Sequence, residues 1–301
     1  MAPIFPNFKK LELHDKEYVE RITKKYLPYS DFNFISLYTW NTDLGTHFSE
    51  LHDNLVIQMK AYGTEKDLIT FLGNNNIETT IDELLQYAKE KNIPSLELIP
   101  ESNIRNHTGI YHKYHVEENR DQFDYIYNLS EMVNMEGRIY LKRRNMLRMF
   151  EKSYAETIMI LDITKAKAQE EIVALCDDWT QKKKMENKQY DENELIAIKR
   201  CFTLAETENL FCLGVYIDNR LVGFSIIEIL PNDYCIFHYE KTDHTFKGIT
   251  EFIKVNIAKH LLSKGIKFMN AEQDLGIEGL RRTKLSYNPA TFLKKFTISQ
   301  K

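Results

Sequence analysis

Polar side chains cluster directly after a short apolar segment, Ile266 to Asn270, that is predicted to be a strand. Asn270 ends this segment, and Glu272 and Asp274 follow it closely. In open α/β sheets, ligands bind beyond the carboxyl ends of strands. Glu272 is therefore a candidate general base or amine-positioning group, and Asp274 could share that role or only cap the next helix. A metal site is disfavoured, because no histidine accompanies the two carboxylates.

A second candidate lies at the predicted start of a helix over Ile249 to Ser263, where Lys247 and Gly248 precede the first turn. Backbone N–H groups at a helix N-terminus bind phosphate, glycine lets a ligand approach closely, and lysine adds positive charge. Lys247, Gly248 and Ile249 are therefore predicted to hold the phosphate of a cofactor or donor. A loop with a purely structural role can carry the same dipeptide, so that alternative stays open.

A third candidate is the basic segment 138–152, which contains six cationic side chains and one acid. On a helical wheel Arg143 lies within the apolar face, whereas Arg144 and Arg148 lie outside it. An unpaired buried charge is unfavourable, so Arg143 needs a partner. It either contacts a phosphate group or bridges to a buried acid such as Glu272.

Further candidates lie in the C-terminal segment. Arg281 and Lys284 could hold a phosphate or carboxylate and, together with Asn270, complete the predicted binding residues. Tyr287 could protonate a leaving group as a general acid. The structural alternative for Tyr287 is simple packing of its ring.

Other kinds of chemistry have little support in the sequence. It contains no GxSxG, Walker or GxGxxG motif, and its four cysteines form no CxxC pair. A covalent nucleophile, a zinc site and a disulfide framework are therefore disfavoured. The most apolar stretch, 211–230, is interrupted by Asp218, Asn219 and Arg220, so no membrane-spanning segment is predicted. Free thiols and the lack of a signal peptide favour a cytoplasmic location.

The composition is that of an ordinary globular protein, with 43% hydrophobic residues, 28% charged residues and a net charge of −4. A length of 301 residues favours two domains. Helices and strands alternate in both halves, and the second half includes a hairpin that turns at Asp218 and Asn219. We expect a mixed α/β chain of the α+β class, with residues 1–121 in one domain and residues 122–301 in the other.

The order of elements in the second half resembles the GNAT acyltransferase fold. In that fold, the loop before the central helix holds the cofactor pyrophosphate on backbone amides, a position that Phe246–Thr250 takes here. The sequence more closely resembles the C-terminal domain family of phosphatidylglycerol lysyltransferases. The matching segments include Lys247-Gly248, residues 239–241 and, most specifically, the run from Asn270 to Tyr287.

This resemblance implies two tandem GNAT-like domains, each a mostly antiparallel sheet flanked by helices, as in Fem-type transferases. The chain looks like a stand-alone, soluble member that lacks the integral membrane domain of the lipid-modifying enzymes. The implied reaction moves an acyl or aminoacyl group from acyl-CoA or aminoacyl-tRNA to an amine or hydroxyl of a small molecule or lipid headgroup. Such direct transfer needs alignment, proton removal and an oxyanion donor, but no enzyme nucleophile. The alternative is a non-catalytic module that binds an anionic metabolite or an acyl-nucleotide, and the oligomeric state is left open.

Overall fold

A computed structural model of the chain describes residues 2–40, 45–62, 64, 66–186, 192–206 and 209–301. The chain forms two compact units. The first unit comprises Met1–Tyr125, Glu272–Arg281 and Phe292–Lys301, and the second comprises Ile126–Ala271 and Arg282–Thr291. The expected division into residues 1–121 and 122–301 stays a prediction about domains. The structure adds that two segments from the second half of the sequence belong to the first unit.

Helices and strands follow one another along the whole chain. The first part contributes β1 (Lys9–Lys10), α1 (Lys16–Thr23), α2 (Phe34–Thr39), β2 (His47–Leu51), β3 (Asn54–Lys60), β4 (Asp67–Leu72), α3 (Ile77–Glu90), β5 (Leu96–Pro100), α4 (Glu101–Ile104), α5 (Gly109–Lys113) and β6 (Tyr114–Glu118). The remainder contributes β7 (Asp124–Asn128), α6 (Leu129–Asn134), α7 (Leu141–Ser153), β8 (Glu156–Leu161), α8 (Ala166–Met185), α9 (Glu194–Phe202), β9 (Leu210–Ile217), β10 (Arg220–Ile229), β11 (Tyr234–Thr242), α10 (Ile249–Ser263), β12 (Phe268–Asn270), α11 (Glu278–Leu285), β13 (Thr291–Leu293) and β14 (Lys295–Gln300). Short 3-10 helices cover Leu13–Asp15, Ser30–Phe32, Arg120–Gln122 and Arg138–Tyr140.

The strands form two sheets, in the orders β1-β2-β3-β4-β5-β14-β6 and β13-β7-β12-β11-β10-β9-β8. Both sheets are built from the same succession of elements along the chain. Three consecutive antiparallel strands are followed by a helix, and the next strand pairs in parallel with the last of the three. In the first sheet these are β2 to β4, α3 and β5. In the second they are β9 to β11, α10 and β12. The expected mixed fold of two mostly antiparallel sheets flanked by helices is confirmed.

Local sequence accounts for the helix that covers the first sheet. On α3, the apolar residues Ile81, Leu84, Leu85 and Ala88 recur at the spacing of one helical face. All four are buried in one hydrophobic cluster with Ile69 and other residues of the sheet. The helix is therefore held mainly by burial of its apolar face.

The first unit also buries a lysine with two aspartates. Lys295 on β14 has no exposed side-chain surface, and its ammonium lies 2.7 Å from Asp124 Oδ1 and against the Asp31 carboxylate. Burial alone would lower the pKa of Lys295, but the charges of Asp124 and Asp31 outweigh it and raise that pKa. The Ser30 hydroxyl and the Tyr62 hydroxyl donate to Asp124 and Asp31, respectively. This ion cluster joins the last strand of the chain to segments near residues 30 and 124.

We predict that Lys295→Met lowers the free energy of unfolding by about 3–5 kcal/mol, because two buried carboxylates would lose their cation. The matched control is Lys294→Met. Lys294 pairs with Glu118 at 2.5 Å but keeps 39% of its side chain exposed, so its loss should change stability by less than about 1 kcal/mol. Urea unfolding of both variants measures the difference. Equal effects would contradict the stabilising role of the buried cluster.

Candidate active site

Strands β11 and β12 of the second sheet pair over only part of the length of β11. Tyr234, Cys235 and Ile236 pair in parallel with Phe268, Met269 and Asn270. Beyond Ile236, β11 continues to Thr242 along β10, whereas β12 ends at Asn270. The parallel pairing therefore ends at Ile236 and Asn270, and among the described residues no strand pairs with residues 237–242 of β11 on that side. The carboxyl ends of parallel strands are where α/β sheets place ligands.

A β-bulge directs two side chains of β11 toward α10. Ile226 and Ile227 of β10 pair with Tyr239 and Phe237, so His238 is an extra residue on β11. In a regular strand, residues three apart point to opposite faces. Here Phe237 and Glu240 both contact Lys254 of α10: its ammonium lies 5.1 Å from the Phe237 ring centroid and 3.5 Å from Glu240 Oε1.

Tyr287 lies between two cations of the second unit. Only 5% of the residue is exposed. The guanidinium carbon of Arg143 is 3.5 Å from its ring centroid, and the ammonium of Lys254 is 4.8 Å from it. Its buried hydroxyl has no hydrogen-bond partner among the described residues. Burial raises the pKa of Tyr287 well above its usual value, although Arg143 opposes the shift, so the hydroxyl stays protonated at neutral pH.

Glu240 also carries an unsatisfied polar atom. Its Oε2 is buried without a hydrogen-bond partner in the described part of the chain. Burial raises the pKa of Glu240, and the positive charge of Lys254 offsets only part of that effect. The side chains of Glu240 and Lys254 remain 16% and 19% exposed. A carboxylate with a raised pKa and a free oxygen, close to the surface, is suited to accept a proton.

Arg143 forms an ion pair with an acidic residue of α10. Its guanidinium donates to Glu251 Oε1 at 2.5 Å and to the hydroxyl of Ser286. The side chains of Arg143 and Glu251 are only 14% and 11% exposed. The predicted need for a partner is thus met within the second unit by Glu251. Arg144, by contrast, donates to the backbone carbonyls of Met135 and Gly137 at the end of α6.

The predicted phosphate loop is packed against α7. Gly248 has φ +92°, and a β-carbon there would overlap the carbonyl oxygen of Met146 and lie 3.0 Å from Phe150 Cβ. Its lack of a side chain therefore has a packing reason at this helix crossing. Ile249 is buried, with 1% exposure, while Lys247 is exposed. The first turn of α10 also carries Glu251, the acid that holds Arg143.

Asp274 is the centre of a hydrogen-bond network in the first unit. It is fully buried and accepts from Arg281 at 2.9 and 2.7 Å, from the Tyr125 hydroxyl at 2.6 Å and from the Gly276 amide at 2.9 Å. Burial alone would raise the pKa of Asp274, but the bonds from Arg281, Tyr125 and Gly276 outweigh it and hold that pKa below the usual range. Asp274 is therefore ionised, and its geometry suits the positioning of Arg281 and the following turn.

The remaining predicted residues lie in both units. In the first unit, Glu272 is half-buried with φ +57°, and its carbonyl accepts from the Tyr125 amide at 3.2 Å. In the second, Asn270 is fully buried in β12, and Lys284 donates to the carbonyl of Ala271 at 2.6 Å. The structure thus brings together two predicted pairs: Arg143 with Tyr287, and Asp274 with Arg281.

Three residues of the site were not predicted from the sequence: Glu240, Glu251 and Lys254. Glu251 and Lys254 are three residues apart on a helix that the sequence predicts, so a shared face was foreseeable. The partners of Glu251 and Lys254 could not be foreseen, because Arg143 and Tyr287 are distant from them in sequence. The local sequence of β11 also does not indicate the bulge that turns Glu240 toward α10.

Residues 23–299 match the sequence family described as phosphatidylglycerol lysyltransferase, C-terminal. The chain belongs to this family. A curated relative, the uncharacterized protein MYCGA3080 of Mycoplasmoides gallisepticum, is 23% identical over 187 residues, or 62% of this chain. The aligned region spans 59% of that relative's length.

Solved structures of the same fold extend over nearly the whole chain. A conserved protein of unknown function from Bacteroides thetaiotaomicron has a TM-score of 0.84 and 24% identity, with 100% of both chains covered. L-PGS from Bacillus licheniformis has a TM-score of 0.63 and 13% identity, covering 97% of this chain and 93% of its own. A tandem GNAT protein from the clavulanic acid biosynthesis pathway has a TM-score of 0.53 and 7% identity, covering 98% of each chain. The fold of this family member is therefore the tandem GNAT fold.

No helix in the described ranges is both long enough and apolar enough to cross a membrane.

We predict that Gly248→Ala lowers the free energy of unfolding by about 3 kcal/mol or more, because the new methyl group combines an unfavourable φ with overlap against α7. Gly265→Ala is the matched control. Gly265 also has a positive φ, +84°, but nothing lies within 4 Å of its β-carbon position, so about 1 kcal/mol is expected. Chemical denaturation of the two variants gives the comparison. A Gly248→Ala protein as stable as Gly265→Ala would show that α7 yields and that the loop is open to a ligand.

Proposed function

We propose that this chain is an aminoacyl- or acyltransferase that moves its group directly from donor to acceptor. The donor is an aminoacyl-tRNA or an acyl-CoA thioester, and the acceptor is an amine or hydroxyl. The observation that carries the proposal is the Tyr287 hydroxyl, which is buried, protonated and without a partner in the described residues. It belongs to a ring that lies between Arg143 and Lys254. The family of the chain gives independent support.

The cluster has the groups that direct transfer requires. Attack on the donor carbonyl places a negative charge on its oxygen, which two fixed cations and a protonated hydroxyl can stabilise. As the bond to the acceptor forms, the acceptor loses a proton and the donor's ester or thioester bond breaks. Tyr287 is suited to donate to the oxyanion or leaving group. Glu240, in the same unit, is suited to take the acceptor proton.

Aminoacyl-tRNA is our first choice of donor. Acyl-CoA would place its pyrophosphate at the start of α10. There the Met146 carbonyl covers Gly248, and the guanidinium of Arg143 is already paired with Glu251. Both features weaken an anion site at this helix start. An aminoacyl-tRNA makes no such demand, because its acceptor end carries no pyrophosphate.

The purified protein should be incubated separately with aminoacyl-tRNA and with acyl-CoA, in each case with amine and lipid-headgroup acceptors. Mass spectrometry of the acceptors then detects transfer. We expect product with aminoacyl-tRNA. Product with acyl-CoA alone would overturn the choice of donor. Stabilisation by a donor or an anionic metabolite without any product would instead favour the non-catalytic binding module.

The sharpest variant is Tyr287→Phe, which removes one oxygen and keeps the ring. We expect kcat to fall by about 10²-fold, since one oxyanion donor is lost. The free energy of unfolding should stay the same or rise by roughly 1 kcal/mol, because a buried hydroxyl without a partner is removed. Steady-state kinetics and urea unfolding on the same preparation test both halves. Unchanged kcat with increased stability would reduce Tyr287 to a packing residue.

Glu272→Gln tests the base that the sequence predicts. General-base catalysis typically contributes about 10²-fold or more, so kcat should fall by that factor while the unfolding curve is unchanged. Glu278→Gln, an exposed acid at the start of α11, serves as the control. Full activity in Glu272→Gln would leave Glu240 as the base.

A further inference from the structure

The basic segment before β8 has an inner and an outer side. Arg143 and Arg144 are engaged with Glu251 and with backbone carbonyls, respectively. The outer cations are exposed and form no ion pair with the described residues; they are Arg138, Lys142, Arg148 and Lys152. Their spacing places them along one side of α7 and the short 3-10 helix before it. Four cations thus remain available to an external partner.

Two aliphatic side chains are exposed among these cations. Ile139 is 61% exposed and Leu141 is 48% exposed. Tyr140 between them is buried, with 5% exposure, and its hydroxyl donates to the Tyr287 carbonyl at 3.3 Å. Because Tyr140 is anchored inward, its two neighbours are held outward. The exposure of Ile139 and Leu141 is therefore built into the fold of this turn.

We propose that this surface docks on an anionic lipid membrane. We call it the α7 surface, and it consists of Arg138, Ile139, Leu141, Lys142, Arg148 and Lys152. Its cations complement negatively charged headgroups, and its two aliphatic side chains can enter the boundary between headgroups and acyl chains. A nucleic acid would use the cations but would offer stacking partners to aromatic side chains rather than to isoleucine and leucine. The aliphatic pair therefore favours a lipid surface over RNA.

The test is co-sedimentation of the full chain with vesicles of phosphatidylcholine, with and without phosphatidylserine. Phosphatidylserine supplies negative charge. Binding should require phosphatidylserine and weaken with salt. The variant Lys142→Gln/Arg148→Gln should bind about 25-fold more weakly, since each cation near an anionic surface contributes roughly fivefold. Its control is Lys259→Gln/Lys264→Gln, which removes two exposed charges elsewhere in the second unit.

The aliphatic residues distinguish a membrane from RNA. Ile139→Ser/Leu141→Ser should bind vesicles about tenfold more weakly and bind tRNA as the wild type does. Met159→Ser/Ile160→Ser removes two other exposed apolar side chains and should leave vesicle binding unchanged. Failure of the wild type to bind phosphatidylserine vesicles would overturn the proposal. Variants of the α7 surface that bind vesicles as well as their controls would also overturn it. The same holds if the charge variant loses tRNA binding while the Ile139→Ser/Leu141→Ser variant keeps full vesicle binding.

Discussion

The buried guanidinium of Arg143 is the interaction on which the candidate active site depends. It pairs with Glu251 in the first turn of α10, bonds to Ser286 after α11 and lies over the ring of Tyr287. Removing one partner from such a pair leaves an uncompensated buried charge, which costs several kcal/mol. The second unit therefore holds α7, α10 and the segment after α11 in one arrangement. That arrangement places Tyr287 between Arg143 and Lys254.

The same cluster leaves two polar atoms unsatisfied. The Tyr287 hydroxyl and Glu240 Oε2 are buried without hydrogen-bond partners in the described residues. Buried polar groups are nearly always bonded, and each exception lowers stability by about 1–3 kcal/mol. At the proposed site, a ligand or a reacting group could supply the missing partners. The bulge at His238 turns Glu240 toward α10, on the part of β11 that lies beyond its pairing with β12.

Packing also decides which cations of α7 are free to act on a partner. Arg143 is held by an acid and Arg144 by two carbonyls, so neither is available to a polyanion. Gly248 at the start of α10 is also packed closely against α7, where a β-carbon would overlap the Met146 carbonyl. Arg143, Arg144 and Gly248 thus have packing and hydrogen-bonding roles in the structure, and their predicted roles in ligand binding stay predictions. The outward residues of α7 are the ones left for recognition.

Features that depend on residues close together in the chain could be predicted without the structure. The helix Ile249–Ser263 has the predicted bounds, and the turn at Asp218 and Asn219 forms with positive φ at both residues. Periodicity also placed Arg143 on a buried face. The family followed from short motifs such as the run from Asn270 to Tyr287. The folded chain was needed to show that Glu251 is the partner of Arg143, that Lys254 contacts both Glu240 and Tyr287, and that β14 lies between β5 and β6 in the first sheet. These outcomes depend on contacts between residues far apart in the chain, and no local pattern specifies which distant segments will meet.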